Sequence, residues 1–204
     1  MRDVKELLFF MLSFIPWLLF LVIPIDSLSG LKLVIVICFS ASVVFGFNGL
    51  KNGMILSWGT ALFFIACILL VNVLNIIWVA ENMAALSNGV LAGIVWISIL
   101  VGRPFALQYA RLEVPQERWN DPELVKGGFH ISLFWGVMMT ISAIISVVEK
   151  MVHTTSSFNF SLSLLMIGIG AGYTTLFKRK KRFLGVGENK LEAKAVWIRI
   201  TLFP

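Results

Sequence analysis

Residues 55–79 read ILSWGTALFFIACILLVNVLNIIWV and contain no Asp, Glu, Lys or Arg. The hydrocarbon core of a bilayer is about 30 Å thick and is crossed by about 20 residues of α-helix, so this stretch is long enough to span it. Such a span has to be helical, because lipid offers no hydrogen-bond partner to backbone N–H and C=O groups. The number of similar stretches therefore determines the fold.

Five other apolar stretches occur along the chain, and the charged residues collect between them. The predicted spans are 7–24, 31–47, 55–79, 84–101, 129–148 and 158–177. We expect an all-α, polytopic bundle of about six transmembrane helices, with a transmembrane domain over residues 1–182 and a cytoplasmic tail over 183–204. The fourth span is the weakest, since Ser87 and Asn88 dilute its start.

The composition excludes an ordinary soluble domain. Of the 204 residues, 58% are hydrophobic and 14% are charged, whereas soluble domains carry about 25% charged residues. The chain also has 17 Phe and 7 Trp residues, whose large rings suit hydrocarbon and its interfaces. These values favour a protein embedded in a bilayer over a soluble protein with a large core.

The positions of the basic residues predict the orientation. Of the 17 Lys and Arg residues, all but Lys32 and Lys150 fall in the termini or in the second and fourth connections between spans. Basic residues concentrate on the cytoplasmic side of membrane proteins, so we expect both termini in the cytoplasm. The first span, preceded by Arg2 and Lys5, could instead be a cleaved signal, which would leave the other spans unchanged.

The connection over residues 102–128 is the longest one between spans. Pro104 suits the first turn of a helix, because its missing N–H needs no partner there. Phe105, Tyr109 and Leu112 then share one helical face. This spacing predicts a helix that lies on the membrane surface with that face at the acyl boundary.

Two interpretations of this connection stay open. It is either an amphipathic linker that anchors two spans, or a recognition surface for an anionic lipid or a partner protein. Arg103 and Arg111 would reach lipid phosphates or carboxylates, and the Trp119 indole suits the headgroup zone. The residues of the predicted interaction surface are Arg103, Pro104, Phe105, Tyr109, Arg111 and Trp119.

The end of the same connection predicts the start of another helix. Asn120-Asp121-Pro122-Glu123 reads as a cap followed by a proline-led first turn. We expect this helix to flex near Gly127-Gly128 and to continue into the fifth span.

Two further polar features are candidate binding sites. Asn72 and Asn75 lie one turn apart in the third span and, with Trp78, predict either a polar pocket or hydrogen bonds between helices. A basic run directly follows the sixth span and is either a topology signal or a contact with anionic lipid. This run consists of Lys178, Arg179, Lys180, Lys181 and Arg182.

Residue types used in catalysis or metal binding form no recognisable pattern. Cys38 and Cys67 each lie in an apolar stretch, and His130 and His153 have no partner at ligand spacing. We expect no catalytic residue, no metal, no cofactor and no nucleic-acid partner. The glycine pairs that favour close helix contact, within the chain or between copies of it, are Gly89 with Gly93 and Gly168 with Gly172.

Short motifs along the chain point to a known family. They are Phe14-Ile15-Pro16-Trp17-Leu18-Leu19-Phe20 in the first span, Gly102-Arg103-Pro104-Phe105 after the fourth, and then Val114-Pro115 and Trp119. In this order, and in the basic run after its last span, the chain resembles the intracellular septation protein A family of small bacterial inner-membrane proteins. The resemblance covers most of the chain in layout. It implies a non-enzymatic protein that supports cell division and envelope synthesis through contacts with other membrane proteins.

Two other functions are compatible with the sequence. A small-molecule carrier, or the substrate-binding membrane subunit of a transporter, would use Asn72, Asn75 and Trp78 as its pocket. A membrane enzyme that modifies lipid would use Arg103 and Arg111 to hold a phosphate group.

Overall fold

The computed structural model describes residues 12–23, 25, 27–112, 114–152, 168–170, 172 and 174 of the chain. The chain divides into two compact units, Met1–Met166 and Ile167–Pro204. In the second unit the described residues are helical, and the Thr174 hydroxyl donates to the Gly170 carbonyl oxygen over 2.8 Å. The first unit consists of helices joined by turns, and no strand occurs among the described residues of either unit. The all-helical fold class is thereby confirmed.

The helices of the first unit follow one another with short connections. They are α1 (Ile15–Val22), α2 (Leu28–Lys51), α3 (Ile55–Cys67), which continues as a π-helix (Ile68–Val73), α4 (Ile77–Glu81), α5 (Met83–Leu100), α6 (Phe105–Leu112), a 3-10 turn (Gln116–Arg118) and α7 (Pro122–Val152). In this unit α1 packs on α2, α2 on α3, α3 on α5, and α5 on α7. The short helix α6 packs mainly against α7.

Four helical stretches are long and apolar enough to cross a membrane, namely α2, α3 with its π-helical extension, α5 and α7. They correspond to the second to fifth predicted spans, so four of the six predicted spans are helices suited to cross a membrane. Side chains such as Val44, Leu62 and Ile144 are exposed on them, as lipid-facing side chains are.

The two outer predicted spans are described less fully. The first, over residues 7–24, is described in part, as α1. The sixth, over residues 158–177, lies largely outside the described residues, as do the basic run over 178–182 and the tail over 183–204. The count of six spans and the cytoplasmic position of the termini therefore stay predictions.

The third span ends at Val73 rather than at Val79 as predicted. Its last turns widen to the π-helix, and the helix breaks over residues 74–76, where Asn75 has a φ of 52°. Asparagine adopts this left-handed conformation more readily than most residues with a side chain. Hydropathy misses the break because the residues beside Asn75 are apolar.

Large side chains such as Trp135 fill the core between the spans. Indole and amide groups also donate across helices to hydroxyl groups. These bonds are Trp17 Nε1 to Thr60 (3.0 Å), Trp96 Nε1 to Thr140 (2.8 Å), and Asn88 Nδ2 to Ser146 (2.7 Å). Bonds of this kind between membrane helices contribute about 0.6 kcal/mol each.

Helix α7 runs without a break from Pro122 to Val152. The Asp121 carboxylate accepts the Glu123 backbone N–H over 3.0 Å, which confirms the predicted cap. Gly127 and Gly128, where flexing was predicted, both lie inside the continuous helix and are buried. The missing side chain of Gly128 makes room for α6.

Candidate functional site

Helix α6 begins where the fourth span ends, after a sharp turn. Gly102 has a φ of 71°, which glycine adopts without steric cost. The Arg103 N–H donates back to the Ser98 carbonyl oxygen over 2.9 Å. Pro104 directly precedes Phe105, the first residue of α6, so the predicted helix after Pro104 is confirmed. It lies at the end of the bundle where α5 ends and α7 begins, which we call the connection end.

The first backbone N–H groups of α6 donate to serines of two different spans. Phe105 N–H donates to Ser98 Oγ of α5 over 3.1 Å, and Ala106 N–H donates to Ser132 Oγ of α7 over 3.0 Å. Both hydroxyls are fully buried. The N–H groups of a first turn have no partner inside their own helix, and a buried one left unpaired is costly. The two serines therefore couple the start of α6 to both spans.

Side chains of α6 reach two further segments. The Gln108 Oε1 atom accepts the backbone N–H of Ile55, the first residue of α3, over 2.9 Å. The Tyr109 hydroxyl donates to Ser13 Oγ, just before α1, over 2.8 Å. Burial raises the pKa of Tyr109, and the hydrogen bond with Ser13 opposes this shift only in part, so the side chain is a neutral donor. Helix α6 is thus bonded to α5, α7, α3 and the segment before α1.

Close backbone contact fixes α6 against α7. A Cβ atom added at Gly128 would lie 2.6 Å from Leu107 Cβ and 2.8 Å from Leu107 Cα. Real Cβ atoms do not approach a backbone atom this closely, so glycine is required at this position. The glycine that was expected to loosen α7 is the residue on which α6 rests.

The prediction that the apolar face of α6 lies against the membrane is wrong. Phe105 is 0% exposed and Tyr109 is 3% exposed, because both are covered by protein rather than by lipid. Pro104 is buried as well, whereas Leu112 is 44% exposed. Periodicity shows which residues share a face, but an apolar face packs equally well on acyl chains or on other helices. Pro104, Phe105 and Tyr109 therefore build the connection and do not belong to its outer surface.

The remaining predicted surface residues lie on the outside of the connection. Arg103 is exposed, and Arg111 and Trp119 form a reciprocal pair. Arg111 Nε donates to the Trp119 carbonyl oxygen over 3.3 Å, and Trp119 Nε1 donates to the Arg111 carbonyl oxygen over 2.9 Å. The guanidinium carbon lies 5.8 Å from the centre of the Trp119 ring, within the range of a cation–π interaction. The pair joins the last turn of α6 to the residue that follows the 3-10 turn.

An ion pair lies beside this pair. Arg118 contacts the Asp121 carboxylate over 3.2 Å. The backbone N–H of Glu123 and the Arg118 guanidinium lower the pKa of Asp121, so this carboxylate stays ionised and caps α7. We call the outer residues of the connection the cationic rim; they are Arg103, Arg111, Arg118 and Trp119.

The residues of the predicted polar pocket lie at the opposite end of the bundle. Asn72 Nδ2 donates to the Lys32 carbonyl oxygen of α2 over 3.1 Å, and the Lys32 ammonium donates to Asn75 Oδ1. Both asparagines therefore contact α2, in keeping with the interpretation as hydrogen bonds between helices. Trp78 lies three residues beyond Asn75, in α4, and is 62% exposed.

The other candidate residues are distributed through the fold. Within the described residues no group of three or more His, Cys, Asp or Glu side chains is placed to hold a metal ion. Cys67 Sγ lies 3.9 Å from Met83 Sδ in the core, and Cys38 is also buried. His130 is exposed, and His153 lies outside the described residues. A Cβ atom added at Gly89 or Gly93 would have no described neighbour within 4 Å.

Sequence reasoning missed the residues that hold α6 in place. Ser98 and Ser132 are isolated hydroxyls in apolar stretches. Each lies about one helical turn from the connection, and this closeness was the only sequence feature that could have indicated a contact with α6. The hydrogen bond of Gln108 could not be predicted from the sequence, because its partner Ile55 is distant along the chain. The bond between Tyr109 and Ser13 could not be predicted for the same reason.

A scan against protein-family models matches none, and searches of curated proteins and of solved structures give no match either.

Proposed function

We propose that this chain is a non-enzymatic inner-membrane protein that supports cell division or envelope synthesis by binding other membrane proteins through the cationic rim. The observation that carries the proposal is the attachment of α6 to four separate segments. This attachment holds Arg103 and the Arg111–Trp119 pair in place before any partner arrives. A surface ordered in advance loses less conformational entropy on binding than a free loop would.

The distribution of charge supports a cytoplasmic position for the rim. The helices alternate in direction, so the end of α2, the start of α3, the end of α5 and the start of α7 share the connection end. The described basic residues at this end are Lys51, Arg103, Arg111, Arg118 and Lys126, against Lys32 and Lys150 at the other end. Basic residues favour the cytoplasmic side, where division and cell-wall proteins present their own cytoplasmic segments.

The resemblance to the septation protein A family supplies the proposed process. Two of its motifs, Gly102-Arg103-Pro104-Phe105 and Trp119, belong to the connection that builds α6 and the rim. The carrier and the lipid-modifying enzyme stay predictions, since the described contacts of Asn72, Asn75 and Arg103 favour neither.

Photo-crosslinking in living cells tests the proposal. A photoreactive residue at Arg103 samples the rim, and one at Val44, which is exposed in the middle of α2, samples the lipid-facing surface as a control. Capture of a division or cell-wall membrane protein at position 103 and not at position 44 supports the proposal. Capture of lipid alone at both positions, or a deletion strain with normal cell length and envelope integrity, contradicts it.

A further inference from the structure

Two lysines hold the segment between the third span and α5 at the end opposite the rim. Lys32 of α2 donates to Asn75 Oδ1. Lys150 of α7 donates to Asn82 Oδ1 over 2.5 Å and to the Glu81 carbonyl oxygen over 3.2 Å. The segment over residues 74–82 is therefore fastened from both sides.

The acceptors of these lysines are all neutral. In the part of the chain that the structure describes, neither ammonium pairs with a carboxylate. An ammonium group has three N–H donors. Lys150 uses two of them on the contacts above, whereas Lys32 uses one. Among the described residues, the half-buried Lys32 thus has no carboxylate against it and has two N–H donors left.

The same segment exposes apolar side chains close to Asn75 in the chain. Trp78 is exposed, as are Leu74 and Ile77, and Leu33 is exposed on the adjoining turn of α2. The indole N–H of Trp78 has no hydrogen-bond partner among the described residues. Indole rings favour the boundary between headgroups and acyl chains. A cation bonded to Asn75, in a segment that also exposes an indole and aliphatic side chains, matches the chemistry of a phospholipid at that boundary.

We propose that Lys32, Asn75 and Trp78 form a binding site for the phosphate of a bilayer phospholipid in the leaflet at this end. The Lys32 ammonium binds a phosphate oxygen, and Trp78 packs on the glycerol and upper acyl region. Asn75 accepts a hydrogen bond from the ammonium without neutralising it, whereas a carboxylate at the same position would neutralise it. The site is independent of the proposed function, since it lies at the other end of the bundle from the rim.

The test measures lipid binding to the purified full chain in detergent by native mass spectrometry. The probes are dioleoyl phosphatidylglycerol and dioleoylglycerol, which has the same acyl chains and no phosphate. Asn75→Asp places a carboxylate against Lys32 and retains the lysine and the turn, since aspartate also tolerates a positive φ. Asn75→Gly keeps the turn and leaves Lys32 charged. Lys51→Gln, an exposed lysine at the connection end, is the matched control.

We expect the wild type, Asn75→Gly and Lys51→Gln to bind phosphatidylglycerol alike, and dioleoylglycerol weakly. Asn75→Asp and Lys32→Gln are expected to bind phosphatidylglycerol about tenfold more weakly, because each variant loses one charged hydrogen bond to the phosphate. Equal binding by Asn75→Asp and the wild type overturns the proposal, as does equal loss in Asn75→Asp and Asn75→Gly. Competition by millimolar inorganic phosphate would assign the site to a soluble anion and overturn the lipid assignment.

Discussion

The Tyr109 hydroxyl donates a hydrogen bond of 2.8 Å to the Ser13 hydroxyl. These residues lie far apart in the chain, on the connection after the fourth span and on the segment before α1. Both are buried, so the bond ties the first helix of the described chain to the element that carries the cationic rim. The bond therefore joins the rim to a segment far from it in the chain.

Replacing Tyr109 by Phe tests this connection. The change leaves the ring in place and deprives the buried Ser13 hydroxyl of its donor, so we expect a loss of about 1 kcal/mol in the free energy of unfolding. Reversible unfolding in mixed detergent measures the loss. Ser13→Ala and the double variant complete the cycle, and strictly additive effects would show that the two hydroxyls do not interact.

Alkaline pH is expected to weaken the fold through Tyr109. Its pKa in the folded chain lies above the ordinary value of 10.0, so the unfolded chain releases the phenol proton first. The contribution of the neutral Tyr109 side chain to the free energy of unfolding is complete below pH 10.0. It is lost as the pH rises through the pKa of Tyr109 in the folded chain. The chain has two tyrosines. A titration followed by tyrosinate absorbance should show one ionisation above the ordinary pH range of tyrosine, and this ionisation should be missing in Tyr109→Phe. Identical titration curves for the two proteins would refute the shift.

The contact between Gly128 and Leu107 predicts a strong effect of a single methyl group. Gly128→Ala drives a Cβ atom into the backbone of α6, and overpacking of this kind costs about 1–3 kcal/mol. We expect a lower midpoint of unfolding and a less ordered rim. Gly89→Ala is the matched control, since its Cβ meets no described neighbour and alanine favours a helix over glycine by about 1 kcal/mol. The reverse order of stability would contradict the placement of α6.

The Arg111–Trp119 pair is expected to protect the chain beside it from proteolysis. Arg111→Lys retains the charge but removes the planar group that both stacks on the indole and bonds to the Trp119 carbonyl oxygen. Limited trypsin digestion in detergent should then cut several-fold faster after the neighbouring Arg118. Arg103→Lys, which lies outside the pair, serves as the control and should be cut at the wild-type rate. Equal cleavage of all three proteins would show that the pair does not order this segment.

Much of the architecture follows from local sequence. The long uncharged runs predicted the spans that α2, α3, α5 and α7 form, because lipid accepts only apolar surface with its backbone bonded internally. Pro104 predicted the start of α6, and Asp121 predicted the cap of α7. Each of these signals lies within a few residues of the structure it produces.

The third span shows where local signals fail. Its apolar run continues past Val73, yet the helix breaks at Asn75, whose side chain meets Lys32 of α2. This side chain contacts a residue distant in the chain, and a hydropathy window contains no information about that contact.

By itself, the sequence determined that this protein is an all-helical membrane protein and where most of its described spans lie, since burial in lipid is a property of each segment alone. The tertiary structure decided what covers the apolar face of α6. By composition, Phe105 and Tyr109 suit an acyl boundary and a protein core equally well. The contacts that place them in the core are made by Ser98, Ser132, Ser13 and Gly128. Hydrogen bonds and close contacts between segments far apart in sequence make that selection, so the positions of the rim residues emerge only when the helices pack.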